Sequence, residues 1–156
     1  YAKIKKQSNR IHNSVFELIE LEKKEKLDKI ETIQKMNDQL TDLKNELNKI
    51  IKKIKHENKT ISGFGAARSG TTFLSYFGIG NHIDYLYDDN NEKHFKFSPG
   101  DQIEVLPTKD IDENKPDYLI ILAWIHADSI ISKNQNYLEN GGAFLRFFPK
   151  IEIIKK

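Results

Sequence analysis

The sequence contains no cysteine and no long apolar run among its 156 residues. The lack of cysteine excludes disulfide bonds, zinc thiolate sites and cysteine nucleophiles, and it suits a reducing compartment, so we expect a cytoplasmic protein. No apolar run approaches the roughly 20 residues of a membrane helix, and no signal segment opens the chain, so we expect no membrane partner. The chain begins at Tyr1, so we expect a piece of a longer polypeptide.

An excess of either charge is also lacking. The 25 basic and 23 acidic side chains give a net charge of only +2, so we expect no nucleic-acid partner. The five histidines, at positions 12, 56, 82, 94 and 126, do not have the spacing of metal ligands, so we expect no bound metal.

Glycine and proline are absent before residue 60, and this absence divides the chain into two parts. We predict a helical lead-in over residues 1–59, with a short helix and a long amphipathic one, and an α/β domain over residues 60–156. The long helix has an apolar seam whose residues recur every three or four positions: Ile33, Met36, Leu40, Leu43, Leu47, Ile50 and Ile54. The seam is interpreted either as the contact with the domain's own sheet or as a coiled coil that forms a homodimer.

The second part alternates predicted strands with predicted helices. Strands are predicted at 60–64, 82–87, 103–106, 118–124 and 143–148, and helices at 71–77 and 127–138. This alternation predicts a Rossmann-like fold, with a parallel sheet, right-handed crossovers and flanking helices.

The stretch "ISGFGAARSGTTFL", residues 61–74, follows the first predicted strand. It has the spacing of a phosphate-binding P-loop, but Thr71 replaces the lysine of that motif. Gly63 and Gly65 also fit the start of a dinucleotide-binding loop, but the third glycine, Gly70, lies farther along the chain than that motif places it. A glycine-rich turn that opens a helix still favours an anion, which backbone N–H groups and the hydroxyls of Ser69, Thr71 and Thr72 would bind.

Two further residues lie where a ligand is expected. Asp88 ends the second predicted strand, where a dinucleotide-binding domain keeps an acid for ribose hydroxyls; the alternative is that it caps a turn and the glycines serve only packing. His126 follows a central strand at its carboxyl end; the alternatives for it are helix capping or simple solvation.

Four ordered blocks carry a family resemblance: "GFGAARSGTTFLSYFGI", "DDNNEKHFKFSPGDQI", "PDYLIILAWIHADSII" and "NGGAFLRFFP". In order and spacing they resemble the C-terminal domain of the SAM-dependent sugar C-methyltransferases. The resemblance implies a domain that joins a preceding methyltransferase core, helps to hold a nucleotide-linked sugar and has no catalytic residue of its own. It also implies that SAM is bound by the other domain and that this chain holds no cofactor.

The resemblance also implies residue roles. The residues implied to face the ligand are Gly65, Ala66, Arg68, Gly70 and Thr72, with Arg68 standing where the family has lysine. Structural or ligand roles are implied for Asp88, Asn90, Lys93, Pro99, Gly100 and Trp124.

Two other functions compete with this one. The segment "RSGTTFL" also resembles the 5′-phosphosulfate loop of sulfotransferases, in which Arg68 to Thr72 would bind the sulfonate donor. A non-catalytic nucleotide-binding or oligomerisation module is the third possibility.

Overall fold

The computed structural model of the protein describes residues 11–156. Residues 1–10 of the predicted lead-in lie outside this range. The contacts divide the chain into a unit that ends at Thr41 and a unit from Asp42 to Lys156. The division predicted between residues 59 and 60 stays a prediction.

Six helices occur in the described chain, and none of them is both long enough and apolar enough to cross a membrane. Their bounds are α1 Asn13–Lys24, α2 Ile30–His56, α3 Arg68–Phe77, α4 Ile111–Asn114, α5 Ala127–Lys133 and α6 Gln135–Glu139. The short helix and the long helix predicted for the lead-in correspond to α1 and α2.

Six strands form one sheet. Their bounds are β1 Ile61–Phe64, β2 Leu86–Asp88, β3 Val105–Pro107, β4 Tyr118–Ile121, β5 Ala143–Arg146 and β6 Glu152–Ile154. The order across the sheet is β3-β2-β1-β4-β5-β6, with parallel pairing from β3 to β5. The Rossmann-like α/β fold class is therefore confirmed. The five predicted strands are parallel, and a sixth strand that was not predicted, β6, pairs antiparallel with β5 at one edge.

Three predicted elements have different bounds in the structure. The strand predicted at 82–87 is shorter, since residues 80–82 form a 3-10 turn and β2 begins at Leu86. The helix predicted at 127–138 is two helices, because Asn134 leaves helical geometry (φ −116°, ψ 38°) and its side-chain amide donates to the Ile130 carbonyl at 2.7 Å. The central strand ends at Ile121 rather than at Trp124, where a 3-10 turn begins.

The sheet is buried on both faces. Side chains alternate between the faces along each strand, so that Ile120 lies in one apolar cluster and Leu119 and Ile121 in the other. The first cluster also includes α3, through Leu74 and Phe77. All four residues of β4 are buried, as the apolar run in the sequence predicts for a strand covered on both sides.

The apolar seam of α2 divides into two parts. In the second unit, the seam residues Leu47 and Ile54 are buried in the first cluster, together with Ile51, which the seam did not include; Leu43 and Ile50 are partly buried. This confirms the interpretation that this part of the helix packs on the sheet of its own domain. In the first unit, Ile33 and Met36 are about half exposed. The homodimer stays a prediction, and Ile33 and Met36 are exposed residues of the seam that could contribute to it.

Candidate functional site

The glycine-rich loop leaves the carboxyl end of β1 in a tight turn. The N–H of Gly65 donates to the carbonyl of Tyr87 at 2.7 Å, which ties the loop to β2. Gly65 has a φ of +97°, and a Cβ built on it would lie 2.7 Å from the Cβ of Ala123. This position therefore requires glycine for its backbone conformation and for its close approach to the segment that follows β4.

Helix α3 begins directly after this loop without a side-chain cap. Ala67 occupies the N-cap position with extended geometry (φ −81°, ψ 155°), and its methyl group cannot accept a hydrogen bond. The hydroxyl of Thr71 donates to the carbonyl of Arg68 at 2.9 Å, so its proton is used within the helix. The N–H of Gly70 donates to the Ala67 carbonyl at 2.9 Å, so the N–H groups of Arg68 and Ser69 are the ones left to solvent or to an anion.

Asp88, at the end of β2, holds the loop in place. Its Oδ2 accepts from the N–H of Ala66 at 2.8 Å and from the Nζ of Lys93 at 2.9 Å. Its Oδ1 accepts from the N–H of Asn90 at 2.9 Å. The carboxylate is only 9% exposed, so it anchors two loops to the sheet edge through these three bonds.

A cleft of about 610 Å³ opens beside the start of α3 and is called the first cleft. Its charged side chains are Arg68, Lys93, Lys96 and Glu92. Lys93 is paired with the Asp88 carboxylate, so Arg68 and Lys96 against Glu92 leave the rim with a net positive charge, and the free N–H groups at the start of α3 add to that potential. Its apolar surface comes from Leu86, Phe97, Pro99, Val105 and Leu122. The first cleft thus combines a positive rim with an apolar wall.

A second cleft, of about 340 Å³, lies on the other side of Gly65. Gly65 lines both clefts, which therefore adjoin at the loop. Six of the ten residues in the wall of the second cleft are polar or charged, namely Asp88, Asp89, His126, Ser129, Lys133 and Asn134. Such a mixture of carboxylate, imidazole, hydroxyl and amide groups is suited to a ligand with several hydroxyls.

The tyrosine before Asp88 belongs to the core below these clefts. Tyr87 is fully buried, and burial raises the pKa of its phenol above the ordinary value. The side-chain amide of Asn114 donates to its hydroxyl at 3.0 Å. Tyr87 therefore stays neutral and supports β2 from inside.

The structure brings most of the residues singled out in the sequence to these two clefts. The first cleft contains Gly65, Ala66, Arg68, Gly70, Thr71, Asn90, Lys93 and Pro99, and the second contains Gly65, Asp88 and His126. His126 is at the N-cap position of α5 but forms no capping hydrogen bond with its side chain in the described chain.

Four of those residues line neither cleft in the described chain: Ser69, Thr72, Gly100 and Trp124. The Trp124 ring packs edge-on against Phe148, with 4.8 Å between ring centroids. Conversely, Glu92, Lys96, Phe97 and Ser98 line the first cleft without having been singled out. All four lie in the second of the four quoted blocks, and membership of that block is the sequence feature that could have predicted their place in the site.

Residues 1–149 match the C-methyltransferase C-terminal domain family. The chain belongs to this family. The C-methyltransferase NovU of Streptomyces niveus is 30% identical to it over 110 residues, which cover 70% of this chain and 26% of NovU. The chain thus spans about a quarter of the length of that relative. The match confirms the family resemblance seen in the four blocks.

Among solved structures, UDP-D-quinovosamine 4-dehydrogenase from Vibrio fischeri is similar to this member of the family, with a TM-score of 0.45 and 14% identity. The similarity covers 62% of this chain and 93% of that one.

Proposed function

We propose that this chain holds the nucleotide-linked sugar substrate of a SAM-dependent C-methyltransferase and has no catalytic residue of its own. The observation that carries the proposal is the first cleft of this C-methyltransferase C-terminal domain, which is lined by three cations and by the first residues of α3, a helix with no side-chain cap. A sugar nucleotide has a diphosphate, and backbone N–H groups with flanking Arg and Lys are the groups that bind phosphate oxygens.

The same cleft is poorly suited to SAM. The methyl donor carries a positive sulfonium, which the side chains of Arg68, Lys93 and Lys96 would repel. Its ribose would need an acceptor at the end of β2, but the carboxylate of Asp88 already binds three donors of the protein. SAM supplies the methyl group when bound, and we propose that a preceding core domain binds it.

Calorimetry tests the proposal directly. The chain should bind a dTDP-sugar or a GDP-sugar, and Arg68→Ala should weaken the binding by roughly 1–3 kcal/mol, as the loss of a hydrogen bond to a charged group does. Lys109→Ala is the matched control, because Lys109 is an exposed cation that does not line the first cleft. The Lys109→Ala variant should bind the sugar nucleotide as tightly as the wild type does.

The remaining ligands separate the competing functions. SAM should bind weakly or not at all, and the chain alone should not methylate any sugar nucleotide. Preferential binding of the phosphosulfate donor would favour a sulfotransferase-like domain instead. Methyl transfer by this chain alone, or an affinity for sugar nucleotides that Arg68→Ala leaves unchanged, would contradict the proposal.

A further inference from the structure

One wall of the first cleft is a hairpin-like segment, residues 95–105, which we call the arm. The N–H of Phe95 donates to the Val105 carbonyl, and the N–H of Val105 donates to the Lys96 carbonyl, both at 2.8 Å. Farther along, the Ser98 hydroxyl accepts from the N–H of Ile103 at 3.0 Å, and Ser98 is buried. These bonds hold the arm in one conformation beside the cleft.

The arm presents a large aromatic ring to the cleft. Phe97 lines the first cleft and is 63% exposed. Phe95, two residues earlier, is 67% exposed but lines a separate depression together with His94. Alternation along a regular strand would place positions 95 and 97 on the same side, but Phe95 has a φ of +59°, which turns the chain and separates the two rings. Because most of the Phe97 side chain is exposed on the wall of a cleft, its ring is available to a ligand there.

The surroundings of Phe97 identify the part of the ligand that it contacts. The cleft surface near it is apolar, with Leu86, Val105 and Leu122, whereas the polar groups suited to sugar hydroxyls lie in the second cleft. Gly65 lines both clefts, and the first residues of α3, the proposed diphosphate site, line the first cleft. A ligand with a central diphosphate would therefore place a flat apolar group in the first cleft and a hydroxylated group in the second.

We propose that Phe97 stacks on the nucleobase of the sugar nucleotide, so that the first cleft holds the nucleoside diphosphate and the second cleft receives the sugar. This inference rests on the proposed function. Every base has a π-face that an aromatic ring can stack on, and loss of such a ring typically reduces affinity by about 5- to 150-fold.

The test compares Phe97→Ala, Phe97→Tyr and Phe95→Ala by calorimetry with a dTDP-sugar, dTDP and inorganic pyrophosphate. Phe97→Ala should weaken both nucleotide ligands about 5- to 150-fold and leave pyrophosphate unchanged. Phe97→Tyr keeps the ring and should retain the affinity. Phe95→Ala is the matched control, because it removes an equally exposed ring of the same arm outside the cleft.

The outcomes separate the two proposals. If the wild-type chain binds no sugar nucleotide, the proposed function fails and this inference fails with it. If the wild type binds and Phe97→Ala binds equally well, only the stacking inference is overturned. If Phe97→Ala weakens pyrophosphate binding as much as nucleotide binding, the stacking inference is also overturned, because Phe97 would then maintain the geometry of the diphosphate site rather than contact the base.

Discussion

Replacing Asp88 by asparagine separates the two roles that its position allows. In the structure the carboxylate accepts hydrogen bonds from the N–H groups of Ala66 and Asn90 and from Lys93. An asparagine has the same shape but only one acceptor oxygen, and its NH₂ group must face one of these donors. We therefore expect Asp88→Asn to loosen the glycine-rich loop.

The three bonds of Asp88 do not contribute equally. The Lys93 side chain is 38% exposed, so its ion pair contributes less than about 1 kcal/mol. Asn90 is exposed, and water can replace the acceptor of its N–H. The bond from Ala66 is at a half-buried residue and should contribute most, since a hydrogen bond to a charged group is worth roughly 1.5–3 kcal/mol. With one oxygen retained, we expect Asp88→Asn to lower the free energy of unfolding by about 1–3 kcal/mol.

Chemical denaturation followed by circular dichroism measures this change, and Asp89→Asn is the matched control. Asp89 is the next residue, is exposed and accepts one hydrogen bond, from the Thr108 hydroxyl at 2.7 Å. The asparagine oxygen can keep that bond, so the control should change stability by less than about 0.5 kcal/mol. Calorimetry with a dTDP-sugar on both variants adds the functional measurement.

One pattern of results would refute this reasoning. If Asp88→Asn unfolds at the wild-type denaturant concentration but binds the sugar nucleotide much more weakly, the carboxylate does not anchor the loop. Asp88 would then act as the acceptor for ribose hydroxyls, which is the alternative role that its position after β2 allows. A loss of stability in Asp88→Asn that Asp89→Asn does not share supports the role of Asp88 in anchoring the loop.

Three other predictions concern the fold. Leu47→Asp should destabilise the second unit by roughly 4 kcal/mol or more, because Leu47 is fully buried. Ile33→Asp should leave the melting temperature unchanged, and if a homodimer forms at that residue, sedimentation should show that the variant is a monomer. Chemical denaturation should show that Gly65→Ala lowers the free energy of unfolding by about 2–4 kcal/mol and Gly78→Ala by only about 1 kcal/mol. Both glycines have a positive φ, but only at Gly65 would the added Cβ clash with a neighbouring residue. Hydrogen bonds from Thr60 lower the pKa of Asp117, so this carboxylate stabilises the fold fully above its unfolded pKa of about 3.9 and loses that contribution as the pH falls through the lowered pKa. In Asp117→Asn, this part of the acid dependence of the melting temperature should be absent.

The central elements of the fold could be predicted from the sequence because their patterns are strong. The run 118–121 is apolar at every position, as burial on both faces requires, and Gly78 closes α3 in the left-handed conformation that glycine favours. β6 could not be predicted, because it has three residues and only part of each is buried. Its antiparallel pairing depends on the turn after β5, and that geometry has no signal in the hydrophobic pattern.

The candidate site was predictable only in part, for a similar reason. The loop and the acid after β2 are adjacent to strands, so parallel pairing places them at the same edge. The arm is different, since its bonds pair residue 95 with 105 and residue 98 with 103 across a turn, and the hydrophobic pattern does not indicate which residues pair. An exposed Phe97 and a core phenylalanine such as Phe77 also look alike in a sequence, although they differ completely in burial.

The glycines of the loop do not by themselves indicate a ligand. A Cβ on Gly63 would lie 2.5 Å from Leu86 Cδ2, one on Gly65 would meet Ala123, and one on Gly70 would lie 3.2 Å from Leu122 Cβ. Each glycine thus has a sufficient reason in packing. The feature without a structural reason is Ala67, because a serine or aspartate at that N-cap would stabilise α3 by roughly 0.5–2 kcal/mol.

An uncapped helix start is useful if an anion completes it, and this gives the last prediction. Ala67→Asp should raise the free energy of unfolding by roughly 0.5–1 kcal/mol, because the new carboxylate caps α3, and should weaken sugar-nucleotide binding, because it occupies the same N–H groups and repels the diphosphate. Thr72→Asp adds the same charge outside both clefts and is the control for net charge. If Ala67→Asp stabilises the fold and leaves the calorimetric affinity intact, the amino end of α3 does not bind the diphosphate, and the cations of the first cleft must bind it alone.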